Sequence, residues 1–290
     1  MRYIGRLAVL TMCTGSLLLG CSTNECSGGS VCGGGNSVDL SGKQSPTTPT
    51  TPLTYSVSES DPWDACEGGP GKVFLRAPSL DDIAAHVNSG ASQTTAEVAA
   101  YKKQLAEFDR DHNAVTADRT TITLTLQGKT SRAVTIQDIT VNVADVKPTP
   151  ATSVRVQRVG GCGDSNVSSF LVNLDKKVPR LEFKEGRNST GQMRVRGFPV
   201  QITESDSEVL TLVAFTTADV HTFSLVVHWT SDGDPGTTEV KADSGALFSV
   251  ASGNGGRQYD YQQQDGTFTP QRYKMDPEDP LGDPLPIEAP

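Results

Sequence analysis

Apolar and polar positions change spacing along the chain, and each spacing predicts a different element. Between residues 79 and 108 the repeat is helical. Ser79 stands three residues before Asp82 at the start of LDDIAAHV, and Thr94 three before Glu97 at the start of AEVAAYKKQLAEF. A hydroxyl followed three positions on by a carboxylate satisfies orphan N–H groups at a helix start. Val98, Tyr101, Leu105 and Phe108 then recur at i, i+3, i+7 and i+10. Such a stripe predicts a helix laid on a core.

From Arg119 the period falls to two. In TTITLTLQG, Ile122, Leu124 and Leu126 point one way and the threonines the other. AVTIQDITVNVADV, TSVRVQR, SSFLVNL, RLEFKE, FPVQIT, VLTLVAFTT, HTFSLVVHWT and TTEVKA continue the series, and residues 230–236 (TSDGDPG) read as a hairpin turn. Short alternating segments with regular turn signals predict a mainly β fold: an antiparallel, immunoglobulin-like β-sandwich of roughly eight strands with two N-terminal helices packed on it.

Outside this region the patterning disappears. Residues 21–60 are rich in Gly and Ser and then in Thr and Pro, and residues 276–290 are acidic and Pro-rich. Neither composition buries enough apolar surface to offset its ordering entropy. The expected organisation is therefore a leader at 1–20, a flexible stalk at 21–60, a domain at 61–275 (helical lead-in 61–115, sandwich 116–275) and a disordered tail at 276–290. A stalk of that length has a root-mean-square reach of roughly 35 Å.

The leader has its own logic. Arg2 and Arg6 precede an apolar run over 7–19, which is too short to span a bilayer, and Gly20 and Cys21 follow. Leu18-Leu19-Gly20-Cys21 resembles the lipobox of bacterial lipoproteins. That resemblance implies cleavage before Cys21, acylation of its thiol, and tethering at the extracytoplasmic face of the cell membrane. The order of pieces in the middle of the chain is a cysteine, a capped helix, DRTTITLTLQGKTSRAVTIQDITV and then VGGCGD. It resembles β-rich extracytoplasmic domains of actinobacterial membrane and surface proteins, and this resemblance implies architecture and location without assigning functional residues.

Of six cysteines, Cys13 would leave with the leader and Cys21 would be acylated. Cys26, Cys32, Cys66 and Cys162 remain, an even number for an oxidising compartment. The sequence allows three pairings. Cys66 and Cys162 sit beside glycines in ordered-looking context and form the favoured disulfide, with Cys26–Cys32 the weaker one. Closing the long loop would contribute about 4–5 kcal/mol in the chain-entropy model.

The net charge of −9 argues against a general nucleic-acid role. No GxSxG or SxxK pattern is present. GGPGK at 68–72 fails as a phosphate loop because Cys66 stands where glycine is required and Val73 follows the lysine. Asp232-Gly233-Asp234 fails as a calcium loop, since Thr237 and Asp243 occupy the positions that need Gly and Glu. His221 and His228 are seven apart on one strand and so face opposite ways. All four histidines, with His86 and His112, read as surface or capping residues. No catalytic set, metal site or cofactor is expected.

Two features suggest binding. Residues 175–196 hold Lys176, Lys177, Arg180, Lys184, Arg187, Arg194 and Arg196 against Asp175, Glu182 and Glu185. This basic stretch in an acidic chain is a candidate anion-binding patch for headgroups or wall polymers, although a solvated strand face with an edge charged against aggregation is the commoner case. In RQYDYQQQDG, Tyr259 and Tyr261 share one strand face and form a candidate contact surface, although core tyrosines at a sheet end are commoner. The expected function is non-enzymatic binding of a protein or cell-envelope polymer partner. A small-ligand sensor and an envelope hydrolase using carboxylates stand as alternatives.

Overall fold

The computed structural model describes residues 51–63, 70–88, 95–158, 169–187, 193–194, 197–262, 266–271, 273–274, 278 and 285–286. All of them fall in one unit, Thr48–Pro290. In chain order the strands are β1 (Leu53–Glu59) and β2 (Lys72–Phe74), followed by the helices α1 (Leu80–Asn88) and α2 (Thr95–Asp111). Then come β3 (Ala114–Ala117), β4 (Arg119–Gly128), β5 (Val134–Pro148), β6 (Val154–Arg158), β7 (Ser169–Asn173) and β8 (Leu181–Lys184). The short β9 (Gly186–Arg187) and β10 (Met193–Arg194) precede β11 (Val200–Ile202), β12 (Glu208–Phe215), β13 (Asp219–Ser231), β14 (Asp234–Val240) and β15 (Phe248–Ala251). Last are β16 (Arg257–Gln262), β17 (Thr267–Pro270), β18 (Tyr273–Lys274) and β19 (Leu285–Pro286).

Two sheets organise the unit. The smaller has the order β1-β4-β12-β7-β8; the larger runs β11-β5-β13-β15-β3-β2-β6-β16-β17, with β14 also on β13. The main core draws on both. Ile122, Leu124, Leu126, Leu210 and Leu212 come from the smaller sheet, and Ile136, Ile139, Phe223, Leu225, Val227, Trp229 and Phe248 from the larger. The two-residue period of β4 places its three aliphatic side chains in this layer and turns Thr121, Thr123 and Thr125 away, while Thr120 shares the inward parity and is buried.

The larger sheet extends beyond the smaller one, and the helices cover the overhang. Ile83, Val87, Leu105 and Phe108 pack on Phe74, Val154, Val156 and Tyr261, with Trp63 among them. Leu105 and Phe108 of the predicted stripe thus pack as their spacing implies, and the Val98 side chain lies outside the description. The Ser79 hydroxyl accepts from the Asp82 N–H at 3.1 Å and donates to the Asp82 carboxylate at 2.6 Å, so the first capping pair forms. The Thr94–Glu97 pair lies outside the residues whose side chains are described.

The purely antiparallel expectation is corrected. β12–β7, β15–β3 and β16–β6 are parallel, so both sheets are mixed. Alternation in a sequence fixes which face a side chain takes, and leaves open which strand lies alongside. β7 and β12 are far enough apart in the chain for the long crossover that parallel pairing needs.

The stalk boundary is corrected too. Leu53–Glu59 is a full strand, antiparallel to β4 from Leu53↔Gly128 to Glu59↔Ile122. LTYSVSE alternates apolar and polar residues, and Leu53 enters the core. Within the tail, Leu285–Pro286 pairs with Tyr273–Lys274.

The hairpin at 230–236 closes on Asp232 and Gly233, with φ of 53° and 89°. Positive φ at both central residues is the turn whose twist matches the flanking strands. β5, the partner on the other side of β13, shifts register at Thr222/Phe223 and His228/Trp229.

Candidate functional site

The basic stretch begins on the connection between β7 and β8. Leu174 is buried in the core, and Asp175 turns back toward the β12–β13 turn. The Thr216 hydroxyl donates to Asp175 Oδ1 at 2.6 Å, and the Thr217 N–H and hydroxyl donate to Oδ2 at 2.7 and 2.8 Å. His221 Nε2 lies 3.2 Å from Oδ1. Burial alone would raise the Asp175 carboxyl, but these bonds outweigh it and hold it well below the usual carboxylate range. The loop is therefore latched at its base.

Beyond the latch, Lys176, Lys177, Val178 and Arg180 are exposed, with no acid among residues 176–180. Lys184 and Arg187 are also exposed. On β8, the intervening Leu181 and Phe183 pack against the core while Glu182 and Lys184 stay outside. Arg187 pairs in register with Met193, and Arg194 with Gly186. The structure thus brings Lys176, Lys177, Arg180 and Lys184 onto one hairpin at the edge of the smaller sheet. Among the described residues none of these four takes part in an ion pair. Arg196 and the Arg194 side chain lie outside the description.

Beneath the helices lies a second polar group. Arg158 donates to the Trp63 carbonyl at 3.3 Å and to the Val87 carbonyl at 2.8 Å. The second bond satisfies a carbonyl at the end of α1, where a cation also suits the helix dipole. The Tyr101 hydroxyl reaches the same carbonyl at 3.4 Å. Burial raises the Tyr101 pKa, partly offset by Arg158, while Asp61, Asp109 and Tyr261 push it further up. Asp109 pairs with Lys72, yet burial outweighs that lysine and raises the carboxyl. Among the described residues, Trp63 Nε1, Arg158 Nε, Asp109 Oδ1 and Tyr261 Oη are buried without a hydrogen-bond partner. Buried donors and acceptors of this kind are where ordered water or ligand hydroxyls are held.

A third group is structural. Arg155 Nη2 lies 2.9 Å from Asp118 Oδ2, with the two side chains 1% and 3% exposed. Asp118 Oδ1 accepts from the Gly253 N–H at 2.7 Å, and Arg155 also donates to Gln157 at 2.9 Å and Gln258 at 3.3 Å. The pair ties β6, β16 and the β3–β4 junction together.

Several sequence-derived candidates are relocated. Tyr261 is 0% exposed and packs on Phe268 with ring centroids 4.8 Å apart, so it is core and no part of a contact surface. Tyr259 is half-buried on the same phenylalanine. The pair alternates inward against the helix layer because β16 is an interior strand, between β6 and β17. His221 is buried in the Asp175 latch, contrary to a surface reading. His86 and His112 flank the ring of Phe108 at 3.9 and 4.6 Å, and His228 meets Thr140 Oγ1 at 2.9 Å. Lys72, rejected as a phosphate-loop lysine, has Asp109 as its partner. Cys21, Cys26, Cys32, Cys66 and Cys162 lie outside the described residues.

The latch and the Arg155 cluster escape sequence reading. Asp175 and His221 are 46 positions apart, and no local pattern links them. Among the described residues no group of His, Cys, Asp or Glu is arranged to hold a metal ion, and no helix is long and apolar enough to cross a membrane. A scan of protein-family models gives no match to this chain, and a search of curated proteins gives none either.

Proposed function

We propose that this chain is a lipid-anchored, extracytoplasmic, non-enzymatic binding protein. Acylated Cys21 tethers it to the outer face of the cell membrane, and the facing sheets form an immunoglobulin-like body held clear of the surface. Its partner is a protein or a cell-envelope polymer with an anionic face. One observation carries the choice: the 176–180 loop offers three exposed bases without an acid, on a base fixed by Asp175. A pre-ordered loop loses little entropy on contact, so its charge is spent on the partner.

The test is co-isolation of the native protein after cross-linking intact cells, with mass spectrometry of partners and of the mature N-terminus. A diacylated Cys21 and an anionic partner lost on neutralising Lys176, Lys177, Arg180 and Lys184 are expected. An unmodified Cys21 would remove the anchor, and capture unaffected by neutralisation would remove the patch.

A second reading, a small-ligand sensor, draws on the unpartnered Trp63 Nε1, Arg158 Nε and Tyr261 Oη beneath the helices. It predicts a rise in melting temperature with one member of a set of sugars, peptides and ions. The hydrolase alternative needs two facing buried carboxylates. Asp109 and Asp118 instead each take a basic partner, Lys72 and Arg155.

A further inference from the structure

The basic loop carries an apolar tip. Tyr55, Val146, Val178 and Met193 are the large hydrophobic side chains exposed among the described residues, and two of the four lie in the basic stretch. Val178 is the most exposed, at 65%, and Met193 follows at 55%. Val178 stands between Lys176 and Lys177 on one side and Arg180 on the other, with Pro179 restricting the backbone beside it. Asp175, the acid that precedes the loop, has both carboxylate oxygens engaged by Thr216, Thr217 and His221, and the next acid, Glu182, lies on β8 two positions beyond Arg180.

For a soluble polyanion the three bases suffice, and an exposed valine at their centre adds nothing. At a bilayer the two features act together. Cationic side chains remain at the headgroups while a short apolar side chain enters the acyl boundary. We propose that the 176–180 loop docks on an anionic phospholipid surface, with Val178 inserted and Lys176, Lys177 and Arg180 on the headgroups. This rests on the reading of the chain as membrane-tethered for its location, and gives the loop the bilayer itself as its anionic surface in place of a protein or polymer. A tethered domain meets that surface at high effective concentration, so a weak contact is enough to set its orientation.

The test uses the full mature chain with Cys21→Ser, so that no acyl chain masks the loop. Cosedimentation is measured with vesicles of phosphatidylcholine alone and with vesicles containing phosphatidylglycerol at one part in four. Binding to poly-glutamate measures attraction to a soluble polyanion. Of the two vesicle types, binding only to the one containing phosphatidylglycerol, weakened by high salt, is expected, with weaker binding to poly-glutamate. The triple variant Lys176→Gln, Lys177→Gln, Arg180→Gln should lose about a hundredfold, since each base near such a surface contributes roughly fivefold. Val178→Ser should weaken vesicle binding about tenfold and leave poly-glutamate binding unchanged. All four positions are exposed, and circular dichroism checks that the variants fold. Equal binding of wild type and Val178→Ser to vesicles would overturn the proposed insertion and leave charge attraction alone, and binding to poly-glutamate without binding to vesicles would overturn lipid docking while leaving an anionic partner in place. No binding to either probe would overturn both. The state of the mature N-terminus is read separately, so failure of the anchor is distinguishable from failure of the loop.

Discussion

His221 Nε2 lies 3.2 Å from Asp175 Oδ1, joining the start of β13 to the end of the β7 hairpin arm across 46 positions of sequence. The imidazole is buried, and its other nitrogen, Nδ1, has no hydrogen-bond partner among the described residues. The carboxylate is the hub of this contact, since Thr216 and Thr217 also donate to it.

Acid should release this latch in a defined direction. Asp175 is held below its ordinary range, so its contribution is fully present above the unfolded carboxyl value of about 3.9. It is lost as pH falls through the lower folded value. Urea unfolding across that window should show wild type losing more stability than Asp175→Asn. At neutral pH the variant should be weaker by about 1–3 kcal/mol. Parallel pH profiles would contradict the latch.

Arg155 and Asp118 should fail separately and recover together. Arg155→Met leaves Asp118 buried without its cation and should cost about 3–5 kcal/mol in chemical denaturation. Asp118 has φ of 55°, a conformation that Asn also tolerates. The double variant Arg155→Met, Asp118→Asn should therefore regain part of the loss. Simple additivity of the two single costs would deny the coupling.

Tyr261→Phe should leave stability unchanged or raise it, because the hydroxyl is buried without a partner among the described residues. A loss above about 1 kcal/mol would mean that a bound water or ligand holds that oxygen. Thermal unfolding with and without dialysis against small solutes separates those two cases.

The β13–β14 hairpin offers a steric test. Gly236 faces Trp229 in register, and a Cβ at that position would lie 2.3 Å from the indole ring. Gly236→Ala should cost about 1–3 kcal/mol and change the emission of Trp229. Gly233→Ala meets no atom within 4 Å, yet its φ of 89° is strained for any side chain. It should destabilise without altering the emission, and a matching spectral change in both variants would refute the contact.

The sequence by itself determined the elements and their faces. Period-two spacing placed Ile122, Leu124 and Leu126 inward, and a helical stripe placed Leu105 and Phe108 on the core. Ser79 and Asp82 marked a helix start, and Asp232-Gly233 a turn. These are local properties, set by backbone geometry within a few residues. The tertiary structure alone decided the partners. It made β7 and β12 parallel, drew Leu53–Glu59 out of a supposed stalk onto β4, and buried Tyr261 under the helices. It also joined Asp175 to His221 and Arg155 to Asp118, and left the bases of the 176–180 loop exposed together. Strand order and long-range pairing arise from how the sheets and the helix layer bury their apolar faces against one another, and alternation along a single strand carries no record of its neighbour.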